Sequence, residues 1–473
     1  MFAVTVGAAK PLSLRAASEF GCITCVAMVI YGRTMASGTS RPGLLPDPPA
    51  GYEPLRRGQL GRRLKRRLVA VLLRGHARLL RFAARPLAGR STVELPEIER
   101  ERQIRFLVIR LDELGDVLLT TKLLSAIRES YPGCSIEVIV HTGLGAILRD
   151  NPMITNVSEF DVAAPRLLRP LLLPLRMLGW RWRRRGMPRP DVAMNARAGP
   201  DSVYAGFLTF VSGAPARLAI TEHATPRKSV LNAGFDGFYT ATAGSRRLVH
   251  EADASASLLD LVSKSHLPLG QAVLKPDTSS PPVVPRHSGG PRIALCVSGG
   301  HSRLKRWPVE RFALLAALLS ERLSATIVIV GSGDDAARAA KVQWPAGTVD
   351  LAGKTSLAEL KTVLRSVDAY VGADVGPTHL AATLGLPVVA LFGSSIPALF
   401  APRGDNVTVL WQQLDCNPSS VGTIDDTSAW SPDYFGPERC VECVYSSPKC
   451  MEALSVKQVF AAVARALAST PAV

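Results

Sequence analysis

The chain has 473 residues, of which 47% are hydrophobic, and a formal net charge of +17. This length exceeds what one compact core supports, so two or three domains are expected. The sequence has no uninterrupted apolar stretch of about 20 residues, which argues against a membrane-spanning helix, and its eight cysteines are too few for a disulfide scaffold.

The positive charge falls mainly in two blocks without acidic residues, Arg56–Arg90 and Arg166–Arg189. Charge of this kind suits a nucleic acid, an anionic membrane or phosphorylated substrates. Apart from Trp180 and Trp182, neither block interleaves aromatic with basic side chains, as proteins that bind single strands do. A nucleic-acid partner is therefore not expected.

Residues 1–100 show no alternation of strands and helices and are expected to form a basic, partly disordered extension. From Gly61 to Pro86, Leu and Val recur three and four residues apart with Arg and Lys between them, which predicts a basic amphipathic helix. Such a helix suits an anionic membrane surface. It can equally pack on the body of the protein with its cations in water. Both interpretations stay open.

Strands and helices alternate from Arg105 onward. The run RFLVIR (105–110) predicts a strand buried on both faces of a parallel sheet. A helix follows in VLLTTKLLSAIRES, and further strands are predicted in SIEVIV, in the segment 151–160 and in DVAMNA (191–196). This pattern is typical of a doubly wound α/β domain, which we place at 104–275.

A Pro-, Ser- and Gly-rich linker at 276–291 precedes a second series of alternating elements. Its predicted strands are RIALCVSG, ATIVIVGS, AYVG and PVVALFG, and its longest helix is VERFALLAALLSERL. The chain is therefore predicted to be α/β, with a second Rossmann-like domain at 292–473 that faces the first across a central cleft.

The segment ADVGPTHLAATLG (373–385) predicts a strand, a tight turn and a helix. Asp374 ends the strand, Gly376 lets the backbone approach a ligand, and Pro377 suits a first helical position. The N–H groups and the positive helix end can then bind a diphosphate, with His379 on the first turn. The plainer interpretation is an ordinary turn in which Asp374 acts as a cap.

Two further loops follow strands of this domain. Ser298, Gly299 and Gly300 form a loop of phosphate size, and Lys305 beside it offers a mobile charge. The loop FGSSIP (392–397) adds Ser394 and its neighbour as donors. One such loop usually marks only an exposed turn, but several in one domain favour a diphosphate site.

In the first domain, LDELGD places Asp116 at the start of a helix and at the carboxyl end of the first strand. Gly115 leaves room for a substrate to approach. A carboxylate at this place can accept a proton from an attacking hydroxyl, and the helix N-terminus favours its ionised form. A helix cap is the commoner role of such an aspartate.

These segments together resemble glycosyltransferase family 9, whose best-known members are the lipopolysaccharide heptosyltransferases. The resemblance runs from about Ile104 to Ala468. It rests on the pattern R-x4-G-D-x-[LV] that begins at Arg110, and on DVAMNARAGPDSVYAGFLTFVSGAPARLAI. In the second domain it rests on KRWPVERF, LAGKTSLAEL and DVGPTHLAATLGLPVVALFG.

The resemblance implies a fold of the GT-B type and inverting, metal-independent transfer of a sugar, heptose or a related one. The donor would be a nucleoside diphosphate sugar, the acceptor a glycolipid or glycan, and no cofactor is implied. Asp116 would be the general base, Lys305 would hold the donor phosphates, and the loop from Asp374 to His379 would bind the diphosphate. Ribose recognition would fall near Asp334 or Asp335.

The acceptor is expected in the first domain, near Arg110 and Gly115. Arg176 and Arg181 of the second basic block are predicted to meet acidic groups of a glycolipid, and the leucines beside them favour a surface close to lipid. We therefore expect a cytoplasmic enzyme of lipopolysaccharide and cell-envelope biosynthesis, either free or peripheral on the inner face of the cytoplasmic membrane.

Three positions differ from what is usual in the family. Val375 stands where Ser or Thr is usual, Ile396 where an acidic residue is usual, and His301 in a loop that is usually smaller and rich in hydroxyls. The differences at Val375 and Ile396 favour one alternative, a decayed, non-catalytic protein that binds nucleotide sugars. A second alternative is a nucleotide-sugar epimerase of the GT-B type, which needs no acceptor.

Four of the eight cysteines lie near the C-terminus. Cys440, Cys443 and Cys450, with Cys416 upstream, have a spacing that can bind a structural zinc ion. Reduced thiols or a local disulfide are the other states that this spacing allows, and no metal is expected at the reaction site.

Overall fold

The computed structural model describes residues 59–88, 103–165, 167–244, 249–262, 284, 289–412, 414, 443 and 445–469. The first 58 residues, for which we predict partial disorder, and most of the linker at 276–291 lie outside these ranges. Cys416 and Cys440 also lie outside them, so the alternatives for the cysteine cluster stay open.

The first half of the chain forms a six-stranded parallel sheet with the spatial order β3-β2-β1-β4-β5-β6. Its strands are β1 (Arg105–Arg110), β2 (Ser135–His141), β3 (Asn156–Phe160), β4 (Val192–Asn195), β5 (Ala216–Ile220) and β6 (Ala241–Ala243). The strand order reverses between β1 and β4. In sheets of this kind ligands bind at that point, outside the carboxyl ends of the strands.

Helices cover both faces of the first sheet. They are α1 (Gln59–Ala84), α2 (Leu114–Leu119), α3 (Thr121–Ser130), α4 (Gly145–Leu148), α5 (Arg169–Arg183), α6 (Ala205–Val211), α7 (Pro226–Leu231) and α8 (Glu251–Ala256). Leu118 and Leu123 of α2 and α3 belong to the core on one face, whereas Leu173 of α5 and Phe207 of α6 belong to the core on the other. The helix predicted after β1 is divided at Thr120 into α2 and α3.

The second half repeats this architecture, with the spatial order β12-β11-β10-β7-β8-β9. Its strands are β7 (Arg292–Cys296), β8 (Thr326–Val330), β9 (Val349–Asp350), β10 (Ala369–Ala373), β11 (Val388–Phe392) and β12 (Val407–Trp411). Its helices are α9 (Val309–Leu323), α10 (Gly333–Ala339), α11 (Leu357–Arg365), α12 (Gly376–Thr383), α13 (Pro397–Phe400), α14 (Lys449–Glu452) and α15 (Val456–Ala468). The reversal of strand order falls between β7 and β10.

The helix α9 shows how the local sequence sets an element. Phe312, Leu315 and Leu319 recur at helical spacing and are all buried in the core of the second domain. Each large side chain of this kind contributes about 1.5–3 kcal/mol when it is fully buried. The helix ends at Ser324, whose φ of 51° is left-handed and cannot continue an α-helix.

The basic helix α1 lies against the first domain, in contact with α6, α7 and the turn Phe235–Phe238. Ala77 and Ala84 are buried at this contact, and Arg81 donates through Nη1 to the carbonyl oxygen of Gly237 at 3.3 Å. The opposite side of the helix leaves Phe82 80% exposed. Of the two interpretations of this helix, packing on the body is therefore observed for one side, and the other side faces solvent.

The fold predicted from the sequence, an α/β protein with two Rossmann-like sheets, is confirmed. The domain limits at 104–275 and 292–473 stay predictions. Within the described ranges, no helix combines the length and the apolar character that a bilayer crossing requires.

Candidate active site

A cleft of about 770 Å³ lies between the two sheets, where the loops that follow β1, β4, β7 and β10 come together. These strands flank the reversal of strand order in each sheet, so the cleft lies where doubly wound sheets bind ligands. The predicted residues that line it are Arg110, Gly115, Asp116, Gly299, Gly300, Lys305, Asp374, Gly376 and His379. Both predicted halves of the site therefore share one cavity.

Arg110, the last residue of β1, is 2% exposed and contacts three carboxylates. Its Nε lies 2.7 Å from Asp112 Oδ2, and its Nη2 lies 2.7 Å from Glu251 Oε1 and 3.2 Å from Asp116 Oδ1. A buried arginine needs such partners, and its planar guanidinium fixes their orientation. Arg110 thus holds Asp116 in place at the edge of the cleft.

Asp116 lies in the first turn of α2, with its side chain 34% exposed to the cleft. The N-cap of this helix is Glu113, so the alternative that Asp116 is the cap is not observed. Burial raises the pKa of Asp116 above its usual value, and the nearby Glu251 adds to the rise, although Arg110 opposes it. A carboxylate with a raised pKa is a stronger base than an ordinary aspartate. The helix N-terminus, which we expected to favour the ionised form, does not outweigh burial here.

Glu251, at the start of α8, was missed by the sequence analysis. Its Oε1 accepts from Arg110 and from the N–H of Ala198, the latter at 3.1 Å. Burial alone would raise its pKa, but Arg110 and this N–H hold the pKa of Glu251 below its usual range. The only local signal was an acidic residue in the first turn of a short helix, which is common at exposed positions.

In the second domain, Asp374 joins three polar side chains. Lys305 Nζ lies 2.6 Å from Asp374 Oδ2, Ser395 Oγ donates to the same oxygen at 2.7 Å, and His379 Nε2 lies 3.4 Å from Oδ1. Burial alone would raise the pKa of Asp374, but the Lys305 ammonium and His379 hold it far below its ordinary value. Asp374 is therefore an anion that positions Lys305 and His379 beside the start of α12.

The two halves of the site touch each other. A Cβ on Gly115 would stand 3.0 Å from His379 Cδ2, and a Cβ on Gly376 would stand 2.8 Å from the Cβ of Leu114. Real side chains essentially do not tolerate the second distance. Glycine at both positions thus permits the closest approach between the loop that carries Asp116 and the first turn of α12.

Several predicted residues lie near the cleft but do not line it. Ser298 Oγ accepts from the N–H of Gly300 at 3.1 Å and so stabilises the turn of the loop formed by residues 298–300. Pro377 occupies the first turn of α12, as predicted for this turn. Ser394 is buried, and its neighbour Ser395 faces the cleft in its place. Asp334 is exposed in the first turn of α10 and stands outside the lining.

Asp335, the other candidate for ribose recognition, has a structural role. Its Oδ2 accepts from both the N–H and the hydroxyl of Ser332 at 2.7 Å, which forms a capping box at the start of α10. Its other oxygen pairs with Arg338. Since Asp335 is 1% exposed, its carboxylate is fully engaged by its own helix.

Arg176 and Arg181 are not brought to the cleft, and their contact with acidic groups of the acceptor stays a prediction. Both lie on α5, which packs on the face of the sheet opposite α2 and α3. Arg176 pairs with Asp161 at 3.1 Å on the surface, and Arg181 is buried beside the amino ends of β1 and β2. The sequence placed both in the first domain but did not show on which face of the sheet they lie.

The first domain instead supplies Arg197 and Arg227 to the lining of the cleft, together with Ile220 and Ala224. Arg197 follows β4 and pairs with Asp112, which links it to the Arg110 cluster. These two arginines were missed, because they lie outside both basic blocks and isolated arginines give no signal in a single sequence.

Two of the three unusual positions face the cleft. Val375 lines it, with its Cγ1 3.5 Å from the place where a Cβ on Gly300 would stand. His301 also lines it, and its Nε2 lies 3.8 Å from Glu113 Oε1 across the opening. Ile396 is fully buried and does not line the cleft.

The comparisons with known proteins agree with this geometry. The family described as glycosyltransferase family 9 (heptosyltransferase) matches residues 200–425. Lipopolysaccharide heptosyltransferase 1 of Pseudomonas aeruginosa is 24% identical over 315 residues, which cover 67% of this chain and 86% of that protein. Lipooligosaccharide heptosyltransferase 2 of Haemophilus influenzae is 24% identical over 322 residues, which cover 65% and 88%.

Solved structures share the fold. A glycosyl transferase family 9 protein from Veillonella parvula has a TM-score of 0.60 and 20% identity, and the match covers 79% of this chain and 100% of that one. Escherichia coli ADP-heptose lps heptosyltransferase II has a TM-score of 0.56 and 18% identity, with 78% and 100% covered. Escherichia coli heptosyltransferase WaaC, solved with ADP, has a TM-score of 0.52 and 20% identity, with 65% and 92% covered. The chain is a heptosyltransferase-like glycosyltransferase, similar to the members of glycosyltransferase family 9.

Proposed function

We propose that this protein transfers heptose from ADP-heptose to a hydroxyl group of the lipopolysaccharide core, with inversion at the anomeric carbon. The observation that carries the proposal is that Asp116 lies in the same cleft as the Lys305–Asp374 ion pair. The two halves of the site are in contact through Gly115 and His379. The named relatives supply the substrate class, since they are heptosyltransferases and one was solved with ADP.

The second domain is proposed to bind the donor diphosphate. Lys305 meets the phosphates as a cation, and the N–H groups at the start of α12 and in the loop Gly299–Gly300 add further donors. Asp374 is an anion and would repel phosphate oxygens, so its role is to position Lys305 and His379. These groups can neutralise the leaving diphosphate without a metal ion.

The first domain is proposed to bind the acceptor, with Arg110 and Gly115 beside the reacting hydroxyl. Asp116 takes the proton as the acceptor oxygen forms its bond to the anomeric carbon. The bond from that carbon to the diphosphate oxygen breaks in the same step, and ADP leaves with its electron pair. A single displacement of this kind inverts the anomeric centre.

Asp116→Asn tests this mechanism. We expect the rate of heptose transfer to fall by roughly 10²–10⁴, since a general base contributes about that much. ADP affinity, measured by calorimetry, should stay within about twofold of the wild type, because the donor phosphates bind in the other domain. The anomeric configuration of the product is read by NMR, and the wild-type rate is expected to persist in EDTA.

Two outcomes would favour the other functions. Wild-type transfer in Asp116→Asn, or no transfer by either protein with intact ADP binding, favours a decayed nucleotide-sugar-binding protein. Isomerisation of the donor sugar in the absence of any acceptor favours an epimerase. Retention of configuration in the product would contradict the single displacement.

We also propose that the protein associates peripherally with an anionic membrane surface through α1 and α5. Ten of the twelve large hydrophobic side chains that are exposed in the described ranges lie on α1 or within 167–187, among them Phe82, Leu171 and Trp182. Many arginines surround them, and this combination is typical of helices that lie at a lipid interface.

The membrane proposal is tested by co-sedimentation with vesicles. The double variant Phe82→Ser with Leu171→Ser should bind anionic vesicles at least tenfold more weakly than wild type, because two apolar side chains leave the bilayer. Leu314→Ser is the control, since Leu314 on α9 of the second domain is as exposed as Leu171. Equal binding by all three proteins, or none at low salt, would contradict the proposal.

A further inference from the structure

A second cavity lies at the edge of the first sheet opposite the active-site cleft. It has a volume of about 90 Å³ and is bounded by the amino ends of β1 and β2 and by the C-terminal end of α5. This volume holds only a few water-sized groups, so the cavity suits a small ion or head group and not a nucleotide. Four of its lining residues are arginines: Arg105, Arg181, Arg184 and Arg189.

Arg181 is the buried member of this set, at 6% exposed. Its Nη1 donates to the carbonyl oxygen of Arg184 at 3.3 Å, and its Nε has no hydrogen-bond partner. Among the described residues, no carboxylate pairs with it. A buried guanidinium without a counter-charge is costly, and in native proteins such groups normally have one.

The other arginines differ in how they are neutralised. Arg184 forms a two-pronged pair with Glu137, at 2.6 and 2.5 Å, and Arg105 pairs with Asp191 at 3.4 Å. Arg189 is exposed and has no carboxylate partner in the part of the chain that the structure describes. The cavity therefore carries two positive charges beyond those that its acidic neighbours balance.

The two unbalanced arginines lie close together. Arg189 Cδ and Arg181 Nη2 lie 3.4 and 3.6 Å from the place where a Cβ on Gly213 would stand. Burial lowers the pKa of Arg181, and the positive charges of Arg189, Arg184 and Arg185 lower it further. An anion between Arg181 and Arg189 would relieve both effects, because it would supply the missing charge and accept from the free Nε.

We propose that this cavity is a phosphate-binding site, separate from the donor site in the cleft. A tetrahedral phosphate monoester or free phosphate presents several acceptor oxygens to the guanidinium groups, which is the geometry that arginine binds best. Met187, which follows α5 and lines the cavity, is 53% exposed. The phosphate can therefore come from solution or from a lipid head group at the surface proposed for α1 and α5.

The test uses the full-length protein carrying Lys305→Ala, which weakens phosphate binding in the cleft. Inorganic phosphate is titrated at constant ionic strength, with chloride as the matched salt, and binding is measured by calorimetry and by the fluorescence of Trp180, which lines the cavity. We expect saturation at one site. Arg189→Ala should weaken it about tenfold or more, because a charge-assisted hydrogen bond is lost. Arg183→Ala is the control, since Arg183 lies on the same helix outside the cavity.

Arg181→Met gives an independent readout. Without phosphate, this variant should unfold at a higher temperature than its parent, because a buried charge without a partner is replaced by an apolar side chain. Phosphate should raise the unfolding temperature of the parent but not that of the variant. A lower unfolding temperature in phosphate-free buffer, with an unchanged response to phosphate, would overturn the proposal.

Vesicles separate the two sources of phosphate. If a lipid head group is the ligand, Arg189→Ala should lose binding to vesicles containing phosphatidic acid, whereas Arg183→Ala should not. If free phosphate is the ligand, both variants should bind these vesicles equally and only the titration should differ. A non-saturable titration that is the same in both variants would refute the site, whatever the vesicles show.

Discussion

Replacing Glu251 by glutamine tests the electrostatic arrangement around the proposed base. Glu251 and Asp116 share one nitrogen of Arg110, at 2.7 and 3.2 Å, so these two carboxylate oxygens stand at most about 6 Å apart. At an effective dielectric constant of about 20, two unit charges at this separation repel by roughly 3 kcal/mol. Because a third of the Asp116 side chain is exposed, solvent screening reduces this to about 1 kcal/mol.

Replacing Glu251 by glutamine is expected to lower the pKa of Asp116. The negative charge of Glu251 disfavours the ionised form of Asp116 and so contributes to the raised pKa of Asp116. As the proposed base, Asp116 must be ionised, so activity is expected to be lost as the pH falls through that pKa. In Glu251→Gln the repulsion is gone, so the acidic limb of the kcat/KM profile should move to lower pH. The plateau should fall, because a weaker base accepts the proton, but by less than the roughly 10²-fold minimum for losing the base.

The assay is the pH dependence of kcat/KM for heptose transfer by wild type, Glu251→Gln and Asp253→Asn. Asp253 lies on the same helix as Glu251 but pairs with Lys122 and Arg403, so its replacement should leave the acidic limb where it is. The reasoning is refuted if the limb of Glu251→Gln stays in place or moves to higher pH. Asp116 would then not be the group that controls this limb, or Arg110 would not couple the two carboxylates.

Three further predictions concern stability. Asp374 has a pKa held far below its ordinary value, so its ion pair stabilises the fold above about pH 4 and is lost as the pH falls. Asp374→Asn should therefore lower the free energy of unfolding at pH 7 by about 2–3 kcal/mol, less than for a fully buried pair because Lys305 reaches the cleft. Urea denaturation at pH 7 and pH 3 checks this, because the loss should be smaller at pH 3, and an equal loss at both would count against it. Burial lowers the pKa of Lys228 to about 8. Below that pH the buried charge of Lys228 lowers the free energy of unfolding by its full cost. As the pH rises toward the pKa of this lysine in the unfolded chain, the free energy of unfolding rises by at most about 3 kcal/mol. Lys228→Met should lack this rise when unfolding is compared at pH 7.5 and 9.5, and a rise equal to that of wild type would contradict the assignment. Ala77→Asp places a carboxylate in the contact between α1 and the first domain, where Ala77 is fully buried. Trypsin should cleave α1 at least tenfold faster in this variant than in the control Ala83→Asp, which lies on the solvent side of the helix. Equal rates of cleavage would show that the side of α1 that carries Ala77 does not hold the helix on the first domain.

The elements with a strong local signal were predictable from the sequence. The amphipathic spacing of α9, its start after Pro308 and the apolar run of β1 all match the structure closely. The turn from Asp374 to His379 was also recognisable, because a glycine and a proline at a helix start restrict the backbone to few arrangements. Here local preference and the overall fold favour the same conformation.

What the sequence could not supply was contact between distant segments. Glu251 reaches Arg110 only through the fold, and α5 takes Arg176 and Arg181 to the far face of the sheet. The engagement of Asp335 by Ser332, in contrast, could have been found, since a serine followed three residues later by an acidic residue is a recognised helix start. Short strands such as β9, with two residues, carry too little pattern to detect.

The attachment of α1 has a mechanical consequence for turnover. This helix contacts α6, α7 and the turn Phe235–Phe238, all of which belong to the first domain. A protein anchored through α1 and α5 would thus be held by the half that is proposed to receive the acceptor, and the half that is proposed to bind the nucleotide would have no part in the anchor. Rotation of the second domain away from Gly115 and Leu114 would then release spent ADP and admit new donor without detaching the enzyme. The residence time on the membrane surface would then be set by α1, and the rate of nucleotide exchange by the contact at Gly376. The two quantities would be independent of each other.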